Sequence, residues 1–336
     1  MKKFNIAVVG ATGMVGGKFL EVLAERRLPV DNYYLFASAK SAGKTVDFMD
    51  KPHTVIELNE ENVATLSDKV DFALFSAGAG VSKQYAPLFV KAGAIVVDNS
   101  SCWRMDEDVP LVVPEVNPED VKWNSGIIAN PNCSTIQAVV ALKPLKDKYG
   151  IKRVIYSTYQ AVSGAGVAGY TDLRDGINGV APKKFPHPIA YNMLPHIDVF
   201  LDDGYTKEER KMIEETRKIL HDKNLKVTAT TVRVPVFYGH SESINVEFEK
   251  PCTKDGVFDA LNGFDGLIVM DDPANNVYPT PLAVENHDEV YVGRIRIDGS
   301  VDSGINMWVV ADNIRKGAAT NAVQIVELLI KNALEV

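Results

Sequence analysis

A glycine-rich turn near the N-terminus constrains the fold more than any other feature of the sequence. Gly10-Ala-Thr-Gly-Met-Val-Gly16 follows the short apolar run Phe4–Val9 and leads into Met14–Arg26, where apolar residues recur with a helical period. A strand, a glycine turn and a helix in this order open a βαβ unit, in which backbone N–H groups at the helix N-terminus hold a pyrophosphate. The turn therefore predicts a dinucleotide-binding fold.

The rest of the first third of the chain supports that prediction. Short β-rich runs alternate with helical patterns such as Ser82–Ala92, and this alternation is typical of a parallel sheet with helices on its faces. The predicted strands after the first are Tyr33–Ala37, Val70–Ser76, Ala94–Asp98 and Gly126–Ala129. We expect a doubly wound α/β domain of the Rossmann type.

The pattern changes from about Ile151 onward, where longer strands are separated by two helices. This arrangement predicts an α+β domain built on a mixed or antiparallel sheet. The predicted strands are Arg153–Val162, Lys226–Val234, Ser243–Phe248 and Glu289–Asp298, the helices are Val167–Asn178 and Lys207–Leu220, and Phe185–Ile197 is predicted to be an irregular loop.

The last segment, Ile314–Leu334, is predicted to be one amphipathic helix. Such a helix needs a sheet to cover, and the open face of the first domain is the expected place. We therefore predict a discontinuous dinucleotide domain, residues 1–131 and 314–336, and a catalytic and dimerisation domain, residues 132–313.

Charge and composition exclude several classes of partner. The 336 residues carry 36 Lys and Arg against 44 Asp and Glu, a net charge of −8 that repels nucleic acid and anionic lipid. No segment approaches the ~18 apolar residues of a membrane span. The three cysteines and six histidines form no ligand-spaced pair, so we expect no metal and no disulfide framework. A reducing cytoplasm is the predicted location.

The loop after the second strand bears on the choice of nucleotide. An NAD site usually ends this strand in a carboxylate that binds the ribose 2′-OH, whereas here the loop offers hydroxyls and cations, which suit a 2′-phosphate. NADP is therefore favoured, with a solvated polar loop as the alternative. The predicted cofactor contacts from the turn and this loop are Gly10, Thr12, Gly13, Met14, Val15, Ser38, Lys40 and Ser41.

Cys133 is the candidate nucleophile. It lies in Asn130-Pro-Asn-Cys-Ser-Thr-Ile-Gln137, after the strand Gly126–Ala129 and before an apolar helical run, and hence at a predicted helix N-terminus. The helix dipole and the free N–H groups there favour a thiolate and can stabilise an oxyanion. A buried, inert thiol is the alternative, and it describes Cys102 and Cys252 well.

Several long motifs in the same order over nearly the whole chain resemble the aspartate-β-semialdehyde dehydrogenase family. These are GATGMVG, FASAKSAGK, SSCWRMDEDVPLVVPEVNPED, NPNCSTIQ, STYQAVSGAG, RVPVFYGHSES and VVADNIRKGAATNAVQI. The resemblance implies reversible conversion of L-aspartate-β-semialdehyde, NADP⁺ and phosphate to β-aspartyl phosphate and NADPH. In the reductive direction this serves lysine, diaminopimelate, threonine and methionine biosynthesis.

The resemblance also implies roles for individual residues. Cys133 matches the nucleophile that forms an acyl-thioester, and His240 matches the acid/base, with Gly239 and Ser241 beside it suggesting an exposed turn. The implied substrate contacts are Gln160, Arg233 for the α-carboxylate and Glu208 for the ammonium. The implied phosphate ligands are Arg104, Lys211 and Asn132, and the further cofactor contacts are Ser163, Gly164 and Asn313. A homodimer formed through the α+β domain is also implied.

Two sister enzymes and one inactive protein remain as alternatives. N-acetyl-γ-glutamyl-phosphate reductase and glyceraldehyde-3-phosphate dehydrogenase also use a cysteine and a histidine. Pairing Arg233 with Glu208 suits a zwitterion with a free amine, which an N-acetylated substrate lacks. A non-catalytic NADP-binding scaffold would be expected to lose the nucleophile or the base, and both are present.

Overall fold

A computed structural model describes residues 2–335 of the chain. The strands are β1 (Phe4–Val9), β2 (Val30–Ala37), β3 (Thr45–Phe48), β4 (Lys51–Thr54), β5 (Ile56–Glu57), β6 (Phe72–Phe75), β7 (Ile95–Asp98), β8 (Ile127–Ala129), β9 (Ile151–Gln160), β10 (Lys226–Arg233), β11 (His240–Phe248), β12 (Leu267–Val269), β13 (Val290–Ile297) and β14 (Gly304–Ala311). The helices are α1 (Met14–Arg26), α2 (Glu60–Ala64), α3 (Ala79–Lys91), α4 (Cys133–Tyr149), α5 (Gly166–Gly176), α6 (Lys207–Ile219), α7 (Lys254–Leu261), α8 (Pro281–Val284) and α9 (Thr320–Glu335).

The described chain divides into two compact units. The first unit contains residues 2–131 and 318–335, and the second unit contains residues 132–317. The predicted boundary at 313/314 lies slightly earlier, because the chain continues past Ala311 into a π-helical turn at Arg315–Ala319 before it becomes an α-helix.

The first unit is built on a parallel sheet with strand order β5-β2-β1-β6-β7-β8. Strand β6 is buried at every position, as expected for a strand covered on both faces. The strand order reverses at β1, and ligands of such sheets bind outside the carboxyl ends of the strands at this reversal. The prediction of a Rossmann-type domain is confirmed.

Two apolar layers cover this sheet. On one face Phe19 and Leu23 of α1 pack with Val323 and Val326 of α9. On the other face Phe89 of α3 makes edge-to-face contacts with aromatic rings from β2 and β6. Helix α9 begins at Thr320 rather than at the predicted Ile314, since the residues before it form the π-helical turn.

The second unit is built on a mixed sheet with strand order β10-β9-β11-β14-β13-β12. The outer pairs β10/β9 and β12/β13 are parallel, and the pairs between them are antiparallel. The α+β prediction is therefore confirmed in its mixed form. Strand β14 was not predicted, because its sequence GINMWVVA is buried almost throughout and lacks the alternation that marks a half-exposed strand.

A long irregular segment joins α5 to α6, in agreement with the predicted loop at Phe185–Ile197. Asp172 of α5 accepts the backbone N–H groups of Lys183, Lys184 and Phe185. Further along, Leu194 exchanges two backbone hydrogen bonds with Arg233 at the end of β10. The segment is thus tied to the carboxyl end of the sheet, where several candidate site residues lie.

Candidate active site

Cys133 is the first residue of α4, as the sequence predicts. The Asn132 side-chain carbonyl caps the helix by accepting the backbone N–H groups of Ser134 and Thr135 at 3.0 and 3.3 Å. A Cβ built on Gly317 would lie 2.9 Å from the Cys133 Cβ, so the backbone at 317 packs directly against the nucleophile. This position has no room for a larger residue.

A buried hydrogen-bond network surrounds the cap. Glu208 Oε1 accepts from Asn132 Nδ2 at 2.8 Å and from Gln160 Nε2 at 3.1 Å, while Glu208 Oε2 accepts from Lys211 Nζ at 2.9 Å. The structure therefore brings together four residues that the sequence assigned to substrate and phosphate, from α6, β9 and the start of α4. Thr158 holds Gln160 from the other side through a 3.0 Å hydrogen bond to its carbonyl oxygen.

Glu208 is an ionised carboxylate within this network. Burial by itself would raise its pKa, but the Lys211 ammonium and the donors Asn132 and Gln160 outweigh burial and lower the pKa to about 2. Its first oxygen is engaged by two amide groups, and its second oxygen by one ammonium. A carboxylate oxygen accepts two hydrogen bonds, so the second oxygen retains capacity for one more donor.

Lys211 pairs with a second carboxylate that the sequence analysis did not identify. Its Nζ lies 2.8 Å from Asp198 Oδ2 as well as 2.9 Å from Glu208 Oε2. Burial by itself would lower the pKa of Lys211, and the two carboxylates raise it above the usual value. Lys211 is therefore a fully charged ammonium held between two anions.

The Ala161 peptide links the two remaining catalytic candidates. Its carbonyl accepts from Arg233 Nη1 at 2.6 Å, and its N–H donates to His240 Nδ1 at 2.9 Å. Since a backbone N–H is always a donor, Nδ1 must carry a lone pair, and the proton of the neutral imidazole is on Nε2. His240 Nε2 is buried and has no hydrogen-bond partner within residues 2–335.

His240 is fully buried, which corrects the expectation of an exposed turn. It is the first residue of β11, and its side chain is 0% exposed. Burial, together with the nearby Arg233 guanidinium, lowers the pKa of His240 to about 3. The imidazole is consequently neutral across the physiological range and presents a single N–H donor.

Arg233 and His240 converge on Gly164. A Cβ built on Gly164 would lie 3.0 Å from Arg233 Nη1 and 3.2 Å from His240 Nε2. Burial lowers the pKa of Arg233, and the Glu208 carboxylate, followed by Cys133, offsets this only in part. The geometry therefore groups Gly164, Arg233 and His240, with a glycine where any side chain would fill the space between the cationic and imidazole donors.

Ser163 and Asn313, both predicted cofactor contacts, are buried and bonded to each other. Asn313 Nδ2 donates to Ser163 Oγ at 3.0 Å, and Asn313 Oδ1 accepts the backbone N–H of Gly239 at 2.9 Å. This pair fixes the turn that precedes His240. Contact of either residue with a nucleotide stays a prediction.

The glycine turn of the first unit has the close packing that a nucleotide turn requires. Gly10 adopts φ +88°, and a Cβ there would lie 2.4 Å from the Ser76 carbonyl oxygen at the end of β6. A Cβ on Gly16 would lie 2.0 Å from the Gly10 carbonyl oxygen. Thr12 Oγ1 reaches Ser41 Oγ at 3.4 Å, so the turn and the loop after β2 meet where the sequence placed a 2′-phosphate.

The remaining nucleotide candidates Gly13, Met14 and Val15 form the cap and first residues of α1. Ser38 and Lys40 lie exposed in the loop that follows β2. These positions suit the predicted contacts, which stay predictions.

Arg104, the third predicted phosphate ligand, belongs to the first unit, while Lys211 and Asn132 belong to the second. It is buried, and it donates Nε to the Asn130 carbonyl at 2.9 Å and Nη2 to the Asn99 carbonyl at 3.0 Å. A shared phosphate site for the three residues stays a prediction.

Sequence reasoning missed several supporting residues. Glu215 accepts the Asn132 backbone N–H at 2.7 Å, and Gln137 donates to the His240 carbonyl at 3.3 Å. One signal was available for Glu215: it follows Glu208 by two helical turns, which puts both acids on one face of α6. Two acids on the buried face of a helix need partners.

The described residues contain no group of three or more His, Cys, Asp and Glu side chains arranged to hold a metal ion. Between residues 2 and 335, every helix is too short or too polar to cross a bilayer.

Comparison with known proteins assigns the class of this fold and site. Residues 5–124 match the family model for the NAD-binding domain of semialdehyde dehydrogenases, and residues 142–316 match the model for their dimerisation domain. Together with the Rossmann-type sheet and the mixed sheet, these matches define an oxidoreductase of the semialdehyde dehydrogenase type.

Full-length relatives narrow the class. The chain is 60% identical to the aspartate-semialdehyde dehydrogenase of Aquifex aeolicus, over 98% of this chain and 99% of the relative. The crystal structure of aspartate semialdehyde dehydrogenase II from Vibrio cholerae complexed with ASA has a TM-score of 0.94 and 49% identity, covering 98% and 99% of the two chains. The Candida albicans enzyme with NADP has a TM-score of 0.76 and 28% identity, covering 98% of each chain. The chain belongs to the aspartate-semialdehyde dehydrogenase family.

Proposed function

We propose that the protein reversibly converts L-aspartate-β-semialdehyde, NADP⁺ and phosphate to β-aspartyl phosphate and NADPH through an acyl-thioester on Cys133. The proposal rests mainly on one observation: Asn132, the cap beside Cys133, and Gln160 both donate hydrogen bonds to Glu208. Ala161, the residue after Gln160, binds both Arg233 and His240 through its backbone. A relative with 49% identity was crystallised with ASA, which supports the choice of substrate.

The substrate is held by two groups of opposite charge. Arg233 presents a planar guanidinium that binds the α-carboxylate, and one of its N–H groups is already fixed on the Ala161 carbonyl. Glu208 Oε2 accepts the substrate ammonium beside Lys211. This pair of sites favours a substrate that carries both a free amine and a carboxylate. It therefore disfavours the substrates of N-acetyl-γ-glutamyl-phosphate reductase and glyceraldehyde-3-phosphate dehydrogenase, which lack the free amine.

The chemistry begins with attack of the Cys133 thiolate on the aldehyde carbon, which converts the carbonyl oxygen to an alkoxide. His240 donates its Nε2–H to that oxygen, because its other nitrogen is occupied by the Ala161 N–H. When the alkoxide re-forms a C=O bond with loss of hydride, the product is a thioester, and this step needs no proton acceptor. The resting imidazole therefore stabilises the alkoxide as a hydrogen-bond donor and transfers no proton in this step, and the predicted acid/base role of His240 stays a prediction.

A bound nicotinamide nucleotide supplies the hydride acceptor in this direction and the hydride donor in reverse. The residues present fit such a nucleotide, since the closely packed Gly10–Gly16 turn leads into the N-terminus of α1, where the first backbone N–H groups of a helix can bind a phosphate. Thr12, Ser38, Lys40 and Ser41 would hold the 2′-phosphate, and Ser163, Gly164 and Asn313 would line the nicotinamide end. A relative crystallised with NADP supports this choice over NAD.

Phosphate completes the oxidative direction. One of its oxygens attacks the thioester carbonyl, the C–S bond breaks, and Cys133 leaves as a thiolate while β-aspartyl phosphate forms. Lys211 and Asn132, with Arg104, are the proposed phosphate ligands. In the reductive direction the product serves lysine, diaminopimelate, threonine and methionine biosynthesis.

We infer that the two units have the separate functions that the sequence predicted. The first unit binds the nucleotide, and the second unit carries catalysis and forms a homodimer, as the name of its family model suggests. A cytoplasmic location fits the three cysteines, all of them outside any disulfide within the described chain.

The test is NADPH formation from L-aspartate-β-semialdehyde with and without phosphate, with NAD⁺ and with N-acetylglutamate-γ-semialdehyde in parallel. We expect phosphate-dependent turnover that prefers NADP⁺ and the free amine. Turnover only with the N-acetylated compound would indicate an N-acetyl-γ-glutamyl-phosphate reductase instead. Cofactor binding without any turnover would indicate a non-catalytic NADP-binding scaffold.

A further inference from the structure

Glu242 is a buried acid that the proposed mechanism does not use. It lies two residues after His240 on β11, and its side chain is 0% exposed. Neither carboxyl oxygen has a hydrogen-bond partner of standard geometry in the described part of the chain. A buried, unpaired carboxylate would carry a large desolvation cost, so this group requires an explanation.

Within residues 2–335, Glu242 forms no ion pair, and its neighbours are polar or apolar groups without charge. Helix α4 packs on β11 and brings Ser134 and Gln137 to this side of the strand. Opposite Glu242 on the neighbouring strands are Thr158 and Val309. Tyr156 of β9, bonded to Thr216 of α6, is the other titratable group close enough to sense the acid, and Cys133 lies one residue from Ser134.

These surroundings favour the protonated acid. Burial raises the pKa of Glu242 well above its usual value, and the Ser134 hydroxyl offsets this only in part. Ser134 Oγ and Gln137 Oε1 are themselves buried without a partner of standard geometry among residues 2–335. A protonated carboxyl supplies one donor and keeps acceptor capacity, so it can pair with the Ser134 hydroxyl in either direction.

We propose that Glu242 is a neutral carboxylic acid that positions the nucleophile, by forming a hydrogen bond with the Ser134 hydroxyl and so fastening the first turn of α4 to β11. Because the acid carries no charge, the partial positive charge at the helix N-terminus is left for the Cys133 thiolate. Glu242 is thus a positioning residue, and this role rests on the proposed function of Cys133.

Ionisation of Glu242 has a defined consequence. A carboxylate beside Ser134 would compete with the thiolate for the helix N-terminus and would repel it. Activity should therefore fall as alkaline pH removes the Glu242 proton. Glutamine keeps the shape and a donor but has no proton to lose, so Glu242→Gln should retain activity to higher pH.

The test compares Glu242→Gln and Glu242→Leu with Glu247→Gln, a change on the same strand at an acid that pairs with Lys152 near the surface. Infrared spectra are recorded at neutral pH, and the spectrum of Glu242→Gln is subtracted from that of each other protein. The difference should show the C=O stretch of a protonated carboxylic acid for the unmodified protein and for Glu247→Gln. This readout does not depend on activity or on the role of Cys133.

Two further readouts separate positioning from bulk stability. Iodoacetamide alkylation of Cys133, followed by peptide mass spectrometry, should be unchanged in Glu242→Gln and about tenfold slower in Glu242→Leu. The alkaline limb of kcat should move up by about one pH unit in Glu242→Gln. The proposal is overturned if the infrared band is absent from the unmodified protein, if Glu242→Gln is as impaired as a folded Glu242→Leu, or if its alkaline limb does not move.

Discussion

The nucleotide turn and the catalytic cluster solve the problem of binding a charged group in opposite ways. The turn is one contiguous segment, Gly10–Gly16, that relies on backbone geometry and the absence of side chains. The cluster joins side chains from α4, β9, α6, β10 and β11 in a buried environment. The turn depends on positions that have no room for a side chain, and the cluster depends on buried charged groups that are paired with one another.

This difference determines which substitutions each region tolerates. At the turn a methyl group added to Gly10 or Gly16 meets backbone atoms, whereas the exposed Thr12 side chain is replaceable without loss of packing. In the cluster Glu208 and Arg233 are ionised and buried, and Lys211 is half-buried beside Glu208, so removal of one partner leaves an uncompensated charge. Chemistry and nucleotide binding should consequently be separable by mutation.

The largest expected effect is that of Cys133→Ala. Loss of the thiolate removes covalent catalysis, and we expect turnover to fall by about 10⁴-fold or more. The affinity for NADPH, measured by fluorescence titration, should be unchanged because the nucleotide turn belongs to the first unit. Cys252→Ala is the control, and residual turnover near the normal rate in Cys133→Ala would remove Cys133 from the mechanism.

Gly10→Ala should disrupt the nucleotide turn. A Cβ would lie 2.4 Å from the Ser76 carbonyl at φ +88°, so we expect a loss of about 3 kcal/mol in the free energy of unfolding. The Kd for NADPH should also rise by at least about tenfold. Gly17→Ala is the matched control, since nothing lies within 4 Å of its Cβ position. Equal behaviour of the two variants would contradict the account of the turn.

Arg233→Lys should weaken substrate binding more than its unchanged charge suggests. A lysine cannot make both the bond to Ala161 and a two-pronged contact to a carboxylate. We expect kcat/KM for the semialdehyde to fall about 30-fold, with Arg174→Lys, an exposed change, having no effect. A loss of less than about twofold would exclude the carboxylate-binding role.

The smallest effect concerns the acid stability of the second unit. Burial and Arg233 lower the pKa of His240 from 6.5 to about 3, so between these values the unfolded chain binds a proton that the folded chain does not. Stability is therefore fully present above pH 6.5 and falls on acidification at about 1.4 kcal/mol per pH unit from this group.

Chemical denaturation of variants between pH 6.5 and 4.5 isolates this slope, because the contributions of Glu208 and Glu242 are common to all the proteins compared. His240→Gln should show a slope shallower by about 1.4 kcal/mol per pH unit. His187→Gln, at an exposed histidine, is the control and should match the unmodified protein. An unchanged slope in His240→Gln would mean that the folded imidazole takes up a proton.

The contrast between the two regions also explains what could be predicted from the sequence. The glycine turn and the start of α4 at Cys133 are local features, and their residues stand next to each other in the chain. The buried state of His240, the Ala161 link and the second acid on Lys211 depend on contacts between distant segments, which no local pattern reports. Strand β14 was missed for a related reason: burial on both faces removed its period-two signal.

The most direct test of the central claim is to trap the acyl-enzyme. The protein is mixed with L-aspartate-β-semialdehyde and NADP⁺ without phosphate, quenched in acid within one turnover, and digested for mass spectrometry. We predict an aspartyl group in thioester linkage on the peptide that contains Cys133, which disappears when phosphate is added before the quench. An adduct on the Cys102 or Cys252 peptide, or turnover with no adduct at all, would contradict the account.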